Sequence, residues 1–383
     1  MQPQLRFQVL CSVVLLMIAG CGPQLQPPRV SPGLVESERQ RQKEQYVRLY
    51  FERVDQVARI TNLLRTKGAE LCEDQVEPTM GIFWADRKTL PEDYWDVGER
   101  IFGLGEELRV LSVVAGLPAA TAGVKPGDII LKINGSEIGS SIKLFDKTPK
   151  GEHAREMLRE AGIKPIELEI KRSGEIIKLT IEPTSACGFP VKVVIDDKVN
   201  AFADGNNIAV TTGMLRFVKD DDELAVVLGH ELAHNTLAHV SKSKGSAIAG
   251  GILGLLLDVV AAAGGVNTGG IFSQLGAKAG RLVFSQDYEV EADYLGLYFA
   301  ARGGFDISKA ADMWRRMGIE HPGAIKDNFL STHPSSPERA VSIEAAVKEV
   351  KQKLYSEAPL FPTRRAAVGR ELDQEGKEQR QND

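Results

Sequence analysis

The chain has 383 residues, with 47 basic and 52 acidic side chains, a net charge of −5 and 43% hydrophobic residues. This length predicts two or three domains, each able to bury a hydrophobic core. Charges of both signs are spread along the chain, and no basic patch with interleaved aromatic residues occurs. The composition therefore argues against a nucleic-acid partner.

The first segment, residues 1–20, has the features of a secretory signal. Arg6 provides a positive start, and the apolar run Val9–Ala19 is too short to span a bilayer comfortably. The run ends in Ile-Ala-Gly-Cys21, which resembles a bacterial lipobox. The resemblance implies cleavage before Cys21 and attachment of a lipid to it, and Gly22 implies the outer membrane if the source is Gram-negative. The alternative is ordinary secretion with an unmodified Cys21.

A proline-rich stretch, residues 21–34, follows and suits a semi-extended tether. From residue 35 to residue 67 the apolar residues recur at helical spacing, which predicts a long amphipathic helix ended by Gly68. Residues 35–72 are interpreted as the N-terminal helix of the main domain.

The stretch 73–186 has a different character, because short apolar runs alternate with turn residues. Four strands are predicted, at residues 108–114, 128–134, 166–171 and 176–181. The segment Gly116–Gly135 resembles the core of a bacterial PDZ domain, and a helix near Glu152–Ala161 would flank its groove. PDZ domains bind an extended peptide along a sheet edge, and Gly98–Gly105 is our candidate for the loop that binds the peptide carboxylate. The alternative is a degenerate PDZ fold that only packs against its neighbour.

Two cysteines, Cys72 and Cys187, bracket this PDZ-like segment. Disulfides persist in an oxidising compartment such as the one that the signal predicts. A Cys72–Cys187 bridge at the root of an inserted domain is our hypothesis, and two free thiols are the alternative.

The chemistry is concentrated in Gly229–Val240, where His230-Glu231-x-x-His234 occurs. On a helix, residues four apart share one face, so both imidazoles can reach one Zn²⁺. Glu231 is placed to take a proton from the water that the metal activates. Asp220, with Glu223 three residues later, resembles a capping box that starts this helix.

A catalytic zinc needs a third protein ligand while the fourth position stays open. The acidic candidates downstream are Asp258, Asp287, Glu289, Glu291 and Asp293. His239, five residues after His234, falls off the ligand face of a continued helix, which favours a solvent or packing role.

From Cys187 onward the sequence resembles the HtpX/BepA-type gluzincin zinc metallopeptidases, on Asn200-Ala-Phe-Ala203, the His-Glu-x-x-His motif and Glu289-x-x-x-Asp293. The resemblance implies Glu289 as the third ligand and Asp293 as the partner of a ligand histidine. Glu291, which lies on another face of the predicted helix, is the second choice for the third ligand. It also implies that Asn200, Ala201 and Phe202 contact substrate and that the strand at residues 208–211 lines the cleft.

The resemblance extends to Ser331–Arg339, where it implies that His333 lies on a loop near the metal. His333 would then hydrogen-bond the oxyanion or ligate zinc in a resting state. Residues 246–265 are apolar, but Asp258 and five glycines favour a helical hairpin over the cleft rather than a membrane span.

The resulting fold class is α+β: a mainly helical zincin-type metallopeptidase domain with a small sheet and an inserted PDZ-like, β-rich domain. The expected core is residues 187–347, and residues 348–383 are expected to form a charged, disordered tail. The expected function is a lipid-anchored zinc endopeptidase of the cell envelope, with one Zn²⁺ per chain and polypeptide substrates. The competing hypothesis is a chaperone-like envelope factor that binds chains through the PDZ groove and rarely cleaves.

Overall fold

The computed structural model describes residues 28–139, 148–242, 286–320 and 337–363. The first helix, α1, runs from Pro32 to Lys67, close to the predicted 35–67. Its apolar residues Val57, Ile60 and Leu64 recur at three- and four-residue spacing and are buried in the main hydrophobic core. A short 3₁₀ turn, Ala69–Cys72, follows this helix.

The segment after Cys72 forms a separate layer with its own core. Its elements are β1 (Val76–Thr79), β2 (Ile82–Ala85), α2 (Trp95–Phe102), β3 (Leu108–Val113), α3 (Pro118–Thr121), β4 (Ile129–Ile133), β5 (Ser136–Glu137), α4 (Lys150–Ala161), β6 (Ile166–Arg172), β7 (Glu175–Ile181) and β8 (Thr184–Cys187). The sheet is antiparallel with the order β2-β3-β4-β6-β7, and β5 pairs with β4. A hydrophobic cluster between Met80 and Ile181 packs this sheet against α4. All four predicted strands are present.

The turn that precedes the edge strand β2 is not Gly98–Gly105, the candidate for the carboxylate-binding loop. The edge strand β2 is preceded directly by Met80 and Gly81, and Gly81 has φ +76°. The expected loop, Gly98–Gly105, instead covers the end of α2 and the turn towards β3. The assignment of Gly98–Gly105 as the loop that binds a peptide carboxylate stays a prediction.

The two ends of this inserted layer meet at its root. β1 and β8 pair antiparallel, with Val76 opposite Cys187. The Sγ atoms of Cys72 and Cys187 are 2.09 Å apart, in a disulfide that joins residues 115 apart in the sequence. The Nε of Arg65 on α1 donates to the Cys187 carbonyl oxygen at 2.6 Å. These contacts support a proposal that the insertion begins and ends near residues 73 and 186.

A second, three-stranded sheet belongs to the main core. It consists of β9 (Val191–Val194), β10 (Ala201–Ala203) and β11 (Ile208–Thr211), in the order β10-β11-β9. β11 pairs antiparallel with β10 and parallel with β9. The predicted strand at residues 208–211 is present as β11, but it is paired on both sides and is therefore not an edge strand. Its place along the substrate cleft stays a prediction. Among the described strands, β10 and β9 form the two edges of this sheet.

Five further helices complete the described core: α5 (Thr212–Phe217), α6 (Asp221–Thr236), α7 (Gln286–Arg302), α8 (Ala310–Glu320) and α9 (Pro337–Tyr355). The predicted hairpin at residues 246–265 lies outside the described residues. In the described part of the chain, no helix combines the length and the apolar character that crossing a membrane requires.

The expected disordered tail is ordered over its first part. α9 continues to Tyr355, and Val350 is fully buried beside Ile343 and Ala346. The Lys353 ammonium donates to the Phe361 carbonyl oxygen at 2.7 Å. The expectation was wrong up to residue 363 because these few apolar residues share one helical face, which outweighs the charged composition. Residues 364–383 lie outside the described part.

Two glycines allow α6 and α7 to pack in close contact. A Cβ at Gly229 would lie 2.6 Å from the Gly296 carbonyl oxygen. A Cβ at Gly296 would lie 2.8 Å from the His230 backbone nitrogen. Real Cβ atoms do not approach backbone this closely, so any larger residue at either position would separate the two helices.

We predict that Gly296→Ala destabilises the protein by about 1–3 kcal/mol, because overpacking a close contact costs this much. The effect opposes the helix propensity of alanine, which favours alanine over glycine by about 1 kcal/mol. Denaturant unfolding measures the change. Gly105→Ala is the matched control, because a Cβ there meets nothing within 4 Å. Equal stability of the two variants would contradict the proposed close packing.

Candidate metal centre

The helix α6 is positioned at its start by a cap. The Asp220 carboxylate accepts a hydrogen bond from the Glu223 backbone N–H at 2.9 Å. Glu223 does not complete the reciprocal box on Asp220, since its carboxylate accepts from the Lys219 N–H at 2.9 Å instead. The apolar residues Leu224 and Leu228 are fully buried. A capped and buried helix holds its side chains in fixed rotamers, as a metal site requires.

Three side chains from α6 and α7 converge. The Nε2 atoms of His230 and His234 are 3.0 Å apart, and each lies 3.5 Å from a Glu289 carboxylate oxygen. All three residues are buried. Ligands about 2.0–2.1 Å from a tetrahedral Zn²⁺ lie roughly 3.3 Å from one another. The observed separations fit this value within a few tenths of an ångström, so these residues could hold such an ion.

The buried charges around this cluster also fit a divalent cation. Glu231, Glu289 and Asp293 are carboxylates with at most 4% exposure, and Arg339 is the cation among them, at 3% exposure. Among the described residues, three negative charges and one positive charge leave −2 in this buried group. Isolated charge in a protein interior is strongly unfavourable, and one dication would balance it.

When no metal is bound, a protonated His230 would offset part of this negative charge. Burial lowers the pKa of His230, but hydrogen bonds to Asp293 and Glu289 and their charges outweigh burial and raise it to about 9. The Nδ1 of His230 lies 2.9 Å from Asp293 Oδ1. Asp293 can therefore fix this imidazole with its Nε2 directed at the metal position, as carboxylates do behind metal-bound histidines.

Arg339, at the start of α9, holds the two carboxylates in place. Its guanidinium donates to both Asp293 oxygens at 2.8 Å and contacts Glu289 Oε2 at 2.9 Å. Its Cζ lies 4.6 Å from the centre of the Trp314 ring, and that ring lies 5.0 Å from the His230 ring. Burial alone raises the pKa of Asp293, but the charge of Arg339 and hydrogen bonds from His230 and Arg339 hold it below its usual value. No spacing in the sequence connects Arg339 with Asp293, 46 residues away.

His239 lies differently from its expected place. α6 ends at Thr236, and Ala238 has φ +54°, which turns the chain back. The His239 ring is consequently buried, with its Nδ1 3.1 Å from the Nδ1 of His234. Its Nε2 lies 3.2 Å from Glu291 Oε2. A solvent role for His239 was wrong, because extrapolating the helix beyond Thr236 ignored this turn.

Asn235, the residue after His234 on α6, holds the turn that follows the edge strand β10 through two hydrogen bonds. Asn235 Oδ1 accepts from the Gly205 N–H at 2.9 Å, and its Nδ2 donates to the Asn207 carbonyl oxygen at 3.1 Å. Both partners lie in the turn between β10 and β11. This turn places Ala201 and Phe202 on a strand that packs on α6, with Asn200 just before it. A substrate role for these three residues stays a prediction, while Cys21 and His333 lie outside the described residues.

Comparison with known sequences identifies the family of the chain. The model of Peptidase family M48 matches residues 173–347, and a PDZ domain model matches residues 109–172. Metalloprotease LoiP of Escherichia coli (strain K12) is 30% identical over 247 residues, which cover 62% of this chain and 96% of LoiP. The chain belongs to Peptidase family M48. The predicted family, the α+β fold class and the PDZ-like insert are confirmed.

Other relatives are longer proteins. Mitochondrial metalloendopeptidase OMA1 of Arabidopsis thaliana is 36% identical over 169 residues, which cover 44% of this chain and 33% of OMA1. A beta-barrel assembly-enhancing protease of Yersinia pestis is 26% identical over 227 residues, covering 56% of this chain and 47% of that protein. The chain thus spans between a third and about half the length of these two relatives.

We predict that the metal-free protein loses stability as the pH rises from about 6.5 towards 9. The folded-state pKa of His230 is raised from 6.5 to about 9, so its protonated form stabilises the fold fully below 6.5 and no longer above 9. A shift of this size corresponds to roughly 3 kcal/mol. Urea unfolding in the presence of a chelator measures the loss. His230→Gln is the comparison, because it removes the titrating group, and an equal pH dependence in both proteins would contradict the assignment.

Proposed function

We propose that this protein is a zinc-dependent endopeptidase of the bacterial cell envelope that cleaves extended or misfolded polypeptides. The observation that carries the proposal is the buried cluster of His230, His234 and Glu289, with ligand atoms 3.0–3.5 Å apart. These three residues would hold the zinc. Membership of Peptidase family M48 and the names of the relatives support a peptidase rather than another use of the metal.

Zinc bound there would supply a Lewis acid that polarises the scissile carbonyl and makes water acidic near neutral pH. Glu231 follows His230 on α6 and is buried with it. Its carboxylate accepts the proton of the attacking water and passes it to the leaving amine, which is the role of a general base and then acid. The edge strand β10 would hold the substrate backbone in extended form beside these groups. We retain His333 as a second donor to the oxyanion on the basis of the sequence resemblance.

We predict that Glu231→Gln lowers kcat for peptide hydrolysis by about 10²- to 10⁴-fold, the usual contribution of general acid–base catalysis. Zinc content should stay at one per chain, because Glu231 is not among the three ligands. Hydrolysis of an unfolded protein and elemental analysis measure the two quantities. Glu160→Gln, on the exposed side of α4, is the control.

Unchanged turnover in Glu231→Gln would refute the assigned base. The chaperone-like alternative would be favoured if Glu231→Gln no longer cleaves peptides but still fully complements cells that lack the protein. Loss of both activity and complementation supports the peptidase.

We also propose that the PDZ-like insert selects substrates. A cleft of about 740 Å³ lies between β2 and α4 of the insert and β9 of the core, next to α1. Among the described residues, β2 and β9 are the outer strands of their sheets. An extended chain can therefore add to either edge through main-chain hydrogen bonds, the binding mode of PDZ domains.

Ion pairs fix the walls of this cleft. The buried Glu77 carboxylate pairs with Arg65 of α1 at 2.5 Å and with Arg155 of α4 at 2.7 Å. Lys192 of β9 pairs with Glu152 of α4 at 2.7 Å. These pairs join the insert to the core on both sides of the cleft, which supports a pre-formed groove rather than a freely tethered module.

We predict that Gly151→Val reduces cleavage of long unfolded substrates but leaves cleavage of a short fluorogenic peptide unchanged. A Cβ at Gly151 would lie 2.8 Å from the Trp84 ring, so a branched side chain fills the space between α4 and β2. The ratio of kcat/KM for the two substrates is the measurement. Glu160→Val, exposed on the same helix, is the matched control, and an unchanged ratio in Gly151→Val would remove the insert from substrate selection.

The proposed location rests on the sequence alone. The apolar run up to residue 19 and the following Cys21 support a lipid anchor, with the protein on the periplasmic face of the outer membrane if the source is Gram-negative. The covalent anchor on Cys21 would attach the peptidase to the membrane through the residues before Pro32, where α1 begins.

A further inference from the structure

His239 makes contacts that ordinary packing of a histidine does not require. Its ring is buried, and its two nitrogens face different partners. The Nδ1 lies 3.1 Å from the Nδ1 of His234, and the Nε2 lies 3.2 Å from Glu291 Oε2. The three side chains thus form a row that begins at a proposed metal ligand and ends at a carboxylate.

The chemistry of imidazole fixes the direction of the hydrogen bonds in this row. If the Nε2 of His234 faces the metal as a lone pair, the proton of that neutral ring is on Nδ1. His234 then donates, so the Nδ1 of His239 must accept. The proton of His239 is therefore on Nε2, which donates to Glu291. Each of the three groups has a suitable donor or acceptor in this arrangement alone.

We propose that His239 and Glu291 are positioning residues that orient His234 towards the metal, as Asp293 orients His230. Asp293 contacts His230 directly at 2.9 Å, whereas Glu291 acts through the His239 ring. Two carboxylates that are two residues apart, and therefore on different sides of α7, would then fix the two histidines of α6. This inference rests on the proposed zinc site.

The surroundings of His239 hold its ring in the required plane. The Tyr288 ring stacks on it with 4.4 Å between ring centres and an angle of 11°. Lys242 is the nearby cation, with its Nζ 5.9 Å from the centre of the Tyr288 ring. Glu291 is 59% exposed, so water weakens its hydrogen bond with His239. His239 therefore contributes more than Glu291 to the orientation of His234.

The first test measures where the protons are, in the zinc-loaded full-length chain. The protein has six histidines, and ¹⁵N labelling of histidine alone lets NMR report the tautomer of each ring. We expect a protonated Nδ1 on His234 and a protonated Nε2 with a free Nδ1 on His239. A proton on the Nδ1 of His239 would overturn the proposal, because that nitrogen could not accept from His234.

The second test measures zinc affinity in competition with a chromophoric chelator. His239→Ala should weaken binding by about 10- to 100-fold, the usual effect of losing a partner of a metal ligand. His239→Asn should recover most of the affinity, since its side-chain oxygen can occupy the position of Nδ1 and accept. Glu291→Ala should have a smaller effect, and His153→Ala, on the insert, is the control.

Affinity of His239→Ala equal to that of the parent would overturn the proposal. If His239→Ala fails to fold, the zinc affinity of His239→Asn and the histidine tautomers of the parent chain test the positioning role instead. A parent chain that binds no zinc would instead refute the proposed function. A parent that binds zinc, with His239→Ala unaffected, would refute the positioning role alone.

Discussion

The close crossing of α6 and α7 is the constraint on which the rest of the site depends. At Gly229 and Gly296 the two backbones touch, with no room for a Cβ on either helix. The contact lies next to His230, so it sets the distance between the histidine helix and the carboxylate helix. At this distance Glu289 reaches both histidines. A wider separation of the two helices would move Glu289 out of reach of the two histidines.

This crossing also concentrates charge in a buried space. Glu231, Glu289 and Asp293 lie together with Arg339, and hydrophobic residues of the main core surround them. Such a group is unfavourable to bury unless it is balanced. A divalent cation at the proposed site would balance it, and the raised pKa of His230 favours a proton on that ring when no metal is bound. We therefore expect metal binding to stabilise the fold.

The sequence predicted what depends on local periodicity and on family resemblance. The pair His230 and His234 could be predicted from spacing alone, because four residues make one turn of helix. Glu289 came from resemblance, since several acidic residues were equally available. The contact of His239 with His234 could not be predicted, because the turn at Ala238 has no sequence pattern. The contact of Arg339 with Asp293 could not be predicted either, because only the fold brings these two residues together.

Contacts between distant parts of the chain also determine the strand order of the second sheet and the helix at the start of the expected tail. The strand at residues 208–211 was predicted, but its central place in the sheet depends on β9, which pairs with it in parallel. The charged composition after residue 347 suggested disorder, yet Val350 completes an apolar face of α9. Pairing order and long-range burial are properties of the whole fold, so composition over a short window does not reveal them.

The central claim is that one zinc ion is held between α6 and α7 by His230, His234 and Glu289. A crystal of the full-length protein, with diffraction data collected on both sides of the zinc absorption edge, tests it most directly. The account predicts a single strong anomalous peak per chain within bonding distance of the two Nε2 atoms and the Glu289 carboxylate. A zinc-loaded protein with no peak there, or with its peak at other residues, would contradict it.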